Sequence, residues 1–292
     1  MIPIKRIASL IKTLERRARV AYRDLVMSRS YPIVTGYFIR KMKRMFAANQ
    51  SFTISPRAIG GFSASIDGVR CVIKTREDLN CLREIFLERV YDFSYAGDVV
   101  VVDLGMNVGF ASLFFAAQQN VKAVYAYELF PETFKDALEN LSLNDALQKK
   151  ISSRNVGVGA KDQAEICNFS YLHKASSGNR INVGGKFTES DLSDIKKVQV
   201  TICDIGSLFT GLLEKHRGTR FLLKCDIEGA EFEVIQRLIE LDLLRHFSFI
   251  QMECHEGRGE EMAGLLATAG YVVYPKDERK QIIYAAFVSG SG

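Results

Sequence analysis

The sequence predicts an α/β fold, a doubly wound and mostly parallel sheet with an antiparallel C-terminal hairpin, preceded by an N-terminal helical arm. Three observations predict it. Near-continuous apolar runs such as "DVVVVDLG" and "FLLKCDIEG" read as strands buried on both faces. Amphipathic stretches of helical period alternate with those runs. Acidic residues recur where the runs end, the side on which such sheets bind ligands.

The arm comes first. Ile4, Ile7, Ile11, Leu14, Ala18, Ala21 and Leu25 recur at spacings of three and four among Arg and Lys, until Pro32 pushes Tyr31 out of the helical region. From Phe52 to Val72, Gly60, Gly61 and Gly68 punctuate alternating residues and predict a short hairpin. "TREDLNCLREIFLERVY" follows as a helix, with Thr75 and Asp78 as its capping box and an apolar stripe of Leu79, Leu82, Ile85, Phe86 and Val90.

The alternation proper begins at "DVVVVDLG", with the helix "FASLFFAAQQ" behind it. "VKAVYAYE" is the second strand, and Pro131 opens the helix "PETFKDALENLSLN". "ISSRNVGVG" predicts a third strand. "FLLKCDIEG" and "FSFIQMECH" predict two more around the helix "AEFEVIQRLIEL". "YVVYP" and "QIIYAAFV" complete the chain as the antiparallel edge.

At 292 residues and 47% hydrophobic, the chain can bury a full core. Its net charge of +5 is unevenly spread: residues 1–50 hold 12 Lys/Arg against 2 Asp/Glu, and the remainder holds 27 against 32. Residues 1–50 therefore read as a basic arm and 51–292 as the main domain. Charge runs are most often solvated surface; the sharper alternative is a face for anionic lipid or an acidic partner. No run reaches the roughly 18 apolar residues of a membrane span, and the first thirty residues lack the apolar core of a secretory signal. Six cysteines without a CxxC pair predict reduced thiols, hence a cytoplasmic protein, with the inner membrane face as the arm's alternative contact. The arm lacks interleaved aromatics, so a nucleic-acid partner is not expected.

The strand ends carry the chemistry. The first ends in Asp103 and Gly105, the second in Glu128, the fourth in Lys224, Asp226 and Glu228, the fifth in Glu253 and His255. These ends lack arginine, which disfavours a phosphate site. In "GMNVGF", Asn107 and Phe110 stand where a dinucleotide fingerprint needs its second and third glycines, and no P-loop GK[ST] follows. A cationic nucleoside, S-adenosylmethionine, fits better. Gly105 and Gly109 would admit it close to the backbone, and Glu128 is placed to accept from both ribose hydroxyls. The plainer role for Glu128 is to cap the helix at Pro131.

"VVDLGMNVGFASLFFA", "AYELFPETFKDALENLSLN" and "LLKCDIEGAEFEVIQ" resemble the three signature segments of the FkbM-type methyltransferases. That resemblance runs from about Phe52 to Val288 and is most specific from Lys224 to Glu231. It implies the class I Rossmann-like fold and methyl transfer from S-adenosylmethionine to hydroxyls of sugars, glycoconjugates or other small molecules. It further implies that Asp103, Gly105, Asn107 and Gly109 hold the methionine end and Glu128 the ribose. Asp226 and Glu228 would face the methyl group, with Glu253 and His255 across from them.

A hydroxyl needs a base or a metal to lose its proton near neutral pH. His255 is the first candidate base because its intrinsic pKa suits the task; Asp226 is the second. A rival arrangement places Mg²⁺ on Asp226 and Glu253, with Glu228 as a third ligand. Strand alternation turns Cys225 and Cys254 into the core. Glu231 reads as support for its helix N-terminus. His173, Lys174 and Arg180 lie in a long polar stretch that reads as a lid, an acceptor-recognition segment or plain surface. Two other classes stay open at this point, an NAD-type oxidoreductase and a non-catalytic adaptor that binds through its arm.

Overall fold

The computed structural model describes Met42, Arg44, Ala47 and residues 51–288, apart from 59, 96, 171–194, 256 and 278–281. Most of the arm and the stretch with His173, Lys174 and Arg180 therefore lie outside the described residues. These fall into two compact units, one ending at Arg89 and one beginning at Val90.

In the first unit, β1 (Thr53–Pro56), β2 (Phe62–Ile66) and β3 (Val69–Ile73) form an antiparallel meander, one strand more than the expected hairpin. Asp67 and Gly68, both left-handed at φ 50° and 80°, make the two-residue turn that joins β2 to β3. Helix α1 (Arg76–Phe86) opens with the expected capping box: Asp78 N–H donates to Thr75 Oγ1 at 3.1 Å, and Thr75 N–H donates to Asp78 Oδ2 at 2.8 Å.

The second unit continues with β4 (Val99–Leu104), α2 (Phe110–Ala117), β5 (Val121–Tyr127), α3 (Pro131–Ser142), α4 (Asp145–Gln148), β6 (Ile151–Arg154), β7 (Gly157–Gly159) and β8 (Gln163–Ser170). Then come β9 (Ile195–Asp204), α5 (Ile205–Lys215), β10 (Arg220–Cys225), α6 (Glu231–Glu240), β11 (Phe247–Glu253), α7 (Gly259–Thr268), β12 (Tyr271–Asp277) and β13 (Ile282–Phe287). Seven strands form one sheet in the order β12-β13-β11-β10-β4-β5-β6. Neighbours from β11 to β6 are parallel, and β13 is antiparallel to β11 and to β12. This is the Rossmann-like, doubly wound sheet expected, with its topological switch between β4 and β10. Among the described residues no helix is long and apolar enough to cross a membrane.

Register sets what each face carries. Leu104 pairs with Cys225, and Cys225 with Met252, and all three join the main core cluster. Cys225 and Cys254 are buried as expected, and burial pushes the Cys254 thiol up to about 12. The alternate positions form a different row, Asp103 beside Lys224 beside Gln251, each at most 3% exposed. A lysine buried in this way needs a partner, and the row supplies Asp103.

Two expectations change. "ISSRNVGVG" breaks at Asn155 into β6, in the main sheet, and β7, which joins a second sheet in the order β7-β9-β8. The Asn155 amide stabilises the break by donating to the carbonyls of Glu128 and Leu129 at 2.8 and 3.1 Å. Strands β8 and β9 and helix α5 were not expected. Their signal is the alternation Val198, Val200, Ile202 followed by Asp204, whose carboxylate caps α5 by accepting from Gly206 and Ser207 N–H.

Candidate active site

The site is built at the carboxyl ends of β4, β5, β10 and β11. Its foundation is the Asp103–Lys224 pair. Parallel neighbours in register point the same way, so Lys224 Nζ lies 3.2 Å from Asp103 Oδ1. It also donates to the carbonyls of Leu104 and Gly105 at 3.2 and 2.5 Å and lies 5.7 Å above the Tyr91 ring. Ser112, from α2, donates to Asp103 Oδ2 at 2.5 Å. Asp103 is thus enclosed, and its partners are the protein's own. Burial acts to lower the Lys224 pKa, but the charges of Asp103 and Asp226 outweigh it and raise it.

The loop after β4 folds back on β5. Gly105 and Met106 N–H both donate to the Tyr127 carbonyl, at 3.1 and 2.8 Å. Gly105 is left-handed at φ 78°, and a Cβ added there would lie 1.8 Å from the Asp226 carbonyl oxygen. The glycine is therefore required by the neighbouring strand end, a constraint that the sequence could not reveal. Gly105→Ala is expected to destabilise the fold by about 2–4 kcal/mol, from left-handed strain plus overpacking. Chemical denaturation checks it against Gly211→Ala, where nothing lies within 4 Å of the added carbon. Equal midpoints would contradict the assignment. Gly109, at φ 86°, is the N-cap of α2, and Asn107 at φ 51° occupies a conformation that asparagine tolerates better than most residues.

Glu128 stands at the tip of β5, 7% exposed. Its Oε2 accepts from Asn107 N–H at 2.8 Å and its Oε1 from Phe130 N–H at 3.0 Å. One carboxylate therefore ties the β4 loop to the start of α3, whose N-cap is Phe130. The helix-support role is real, and each oxygen retains a second lone pair for another donor. Burial pushes the Glu128 carboxyl up to about 7 against the opposing pull of the Phe130 and Asn107 hydrogen bonds.

Beyond β10, Asp226 and Glu228 converge on His255 from the segment after β11. His255 Nε2 lies 3.4 Å from Glu228 Oε2 and 4.0 Å from Asp226 Oδ1. His255 Nδ1 meets Glu231 Oε1 at 2.8 Å. Glu231 also accepts from Ile227 and Gly229 N–H, so it both shapes the start of α6 and orients the imidazole. Glu228 is left-handed at φ 59°, which bends the chain so that its carboxylate faces the ring. Burial works against a charged imidazole. The Glu231 hydrogen bond and the charges of Glu228 and Asp226 outweigh it and push His255 up to about 9. An unperturbed value suited to a base at neutral pH is therefore not what this site contains: three carboxylates hold the proton on the ring.

The structure places His255, expected across from Asp226 and Glu228, beside both of them and adds Glu231 as the ring's partner. Asp226, Glu228 and His255 are also the described group whose ligand atoms all lie within 4.8 Å of one another. Glu253, expected to share a metal with Asp226, is the last residue of β11 and is not in that group. Sequence reasoning also missed Ser112, the polar member of an otherwise apolar helix, and Asn155. The first had a visible signal; the second had none beyond its place after a strand.

Residues 103–273 match the family described as methyltransferase FkbM domain. A curated relative, "Methyltransferase 1" of Beauveria bassiana (strain ARSEF 2860), is 26% identical over 166 residues, which cover 53% of this chain and 65% of the relative. The chain therefore spans slightly less than two thirds of that relative's length. Among solved structures, methyltransferase FkbM from Methylobacillus flagellatus KT is similar at 13% identity and a TM-score of 0.43, covering 69% of this chain and 47% of that one. Precorrin-6y C5,15-methyltransferase from Geobacter metallireducens GS-15 aligns at 13% identity and a TM-score of 0.36, covering 68% and 85%.

Proposed function

Because this chain belongs to the FkbM methyltransferase domain family, we propose that it transfers a methyl group from S-adenosylmethionine to a hydroxyl of a sugar, glycoconjugate or other small molecule. The observation that carries this reading is the Glu128 carboxylate, fixed by two backbone donors at the tip of β5 and beside the glycine loop. There it can accept from a ribose diol. Gly105, Asn107 and Gly109 form the loop against which the methionine end would lie, and Asp103 acts from behind it by fixing Lys224. When bound, S-adenosylmethionine supplies an electrophilic methyl carbon. Attack on that carbon by an acceptor hydroxyl would release the sulfur with the C–S electron pair, and the hydroxyl proton would pass to the cluster beyond β10. With His255 held at about 9, its ring already carries a proton, so Asp226 and Glu228 are the groups of the cluster left to take this one.

Calorimetric titration with S-adenosylhomocysteine tests the reading: uptake of one equivalent supports it, and no uptake ends it. The pH dependence of that titration is also defined. Glu128 loses its charge as pH falls through about 7, and a neutral carboxyl is a poorer acceptor for two hydroxyl donors. Affinity should be level above pH 8 and fall between pH 8 and 6, approaching about tenfold per unit at the acid end. Glu128→Gln should flatten the profile. An equally steep decline in that variant would assign the dependence to another group.

A further inference from the structure

We propose that Asp226, Glu228 and His255 form a binding site for one divalent first-row transition ion, with Glu231 as the outer partner that orients the histidine. The inference rests on the site read above as the methyl-transfer centre; with an ion of this class bound, which the sequence did not indicate, Asp226 and Glu228 are ligands and the ion would take over from them in acidifying the acceptor hydroxyl.

The donor set is the first argument. One imidazole nitrogen and two carboxylates suit Mn²⁺, Fe²⁺ or Zn²⁺ better than Mg²⁺, which favours oxygen donors and water. Geometry is the second. Bonds of about 2.1 Å to a common ion put neighbouring donor atoms roughly 3.0–3.4 Å apart in octahedral or tetrahedral arrangements. Nε2 to Glu228 Oε2 is 3.4 Å, Nε2 to Asp226 Oδ1 is 4.0 Å, and all three atoms lie within 4.8 Å of one another. Side-chain rotations of about an ångström complete one face of a coordination sphere and leave the opposite face for an acceptor oxygen.

The third argument is the ring's orientation. A metal-bound histidine commonly donates its other N–H to a carboxylate, which fixes tautomer and direction. His255 Nδ1 has that partner in Glu231, at 2.8 Å. Glu231 is itself held by Ile227 and Gly229 N–H, so the ring is aimed by groups that do not depend on an ion. Lys224 lies 3.2 Å from Asp103 and 3.9 Å from Asp226, so its single charge is shared between them. An ion bound at Nε2 would displace the proton from that nitrogen to solvent, while Nδ1–H stays on Glu231.

The test uses the full chain with Mn²⁺ and without cofactor or acceptor. Calorimetry should show one Mn²⁺ per chain, and pulsed EPR should show coupling of that Mn²⁺ to a ring nitrogen. His255→Ala should abolish the coupling. Glu228→Gln and Glu231→Gln should each weaken binding, the latter by about 10- to 100-fold, while far-UV circular dichroism confirms that the variants are folded. Absence of uptake at millimolar Mn²⁺ would overturn the proposal, and so would uptake without nitrogen coupling. Should His255→Ala fail to fold, the coupling in the unsubstituted protein still decides. A chain that takes up S-adenosylhomocysteine but no ion would sink this inference alone; one that takes up the ion but not the nucleoside would sink the functional reading alone.

Discussion

Lys224→Met is expected to destabilise the second unit by about 3–5 kcal/mol, because it leaves the Asp103 carboxylate buried opposite an apolar side chain. Asp103 is fully buried and Lys224 is 2% exposed, so solvent cannot take over the lost partner. The loss extends beyond the pair. Lys224 Nζ also satisfies the carbonyls of Leu104 and Gly105, at the start of the loop that Glu128 grips. Asp103→Leu combined with Lys224→Met should recover much of the loss, since a neutral apolar pair carries no uncompensated charge. The Lys224 pKa is raised, so its contribution is fully present below the unfolded value of about 10.5 and is lost only as pH rises through the higher folded value. Chemical denaturation at neutral pH therefore measures the whole effect. A single variant as stable as the parent would show that the pair does not hold the rim.

Glu128→Ala is expected to weaken S-adenosylhomocysteine binding by about 100-fold or more, since hydrogen bonds to a charged acceptor contribute about 1.5–3 kcal/mol each and two ribose hydroxyls are involved. The same change removes the acceptor for Asn107 and Phe130 N–H, so some stability is lost as well. Glu128→Gln separates the two effects. Its amide oxygen still accepts from one backbone donor, so the loop and α3 stay closer to their places, while the charge that ribose would meet is gone. Calorimetry on both variants should give a large affinity loss in each and a large stability loss only in the alanine variant. Parent-like affinity in Glu128→Gln would confine Glu128 to its structural role.

The strands and helices that surround the site were legible because burial on both faces writes itself locally as an apolar run. β4 is buried at all six positions, and "DVVVVDLG" announces it. The β12–β13 edge was legible for a different reason, two β-branched and aromatic runs joined by a charged turn, for Val272 and Tyr274 of β12 are exposed. What was not legible is nonlocal. That Asp103 would spend its charge on Lys224 depends on the register of β4 and β10, residues more than a hundred positions apart. The split of "ISSRNVGVG" depends on Asn155 finding two carbonyls just beyond the end of β5. His255 illustrates the limit best. Its place at the rim followed from strand alternation, but its proton affinity is set by Glu228 and Glu231, whose approach depends on one left-handed residue and one helix start. An intrinsic pKa cannot foresee that neighbourhood.

The edge formed by β4, β5, β10 and β11 is where the adenosine donor is expected to bind. A crystal structure with S-adenosylhomocysteine tests this most directly. Both ribose hydroxyls should lie about 3 Å from the Glu128 carboxylate, with the sulfur directed toward Asp226 and Glu228. A ligand bound elsewhere, or a Glu128 side chain facing away from the ribose, would contradict it.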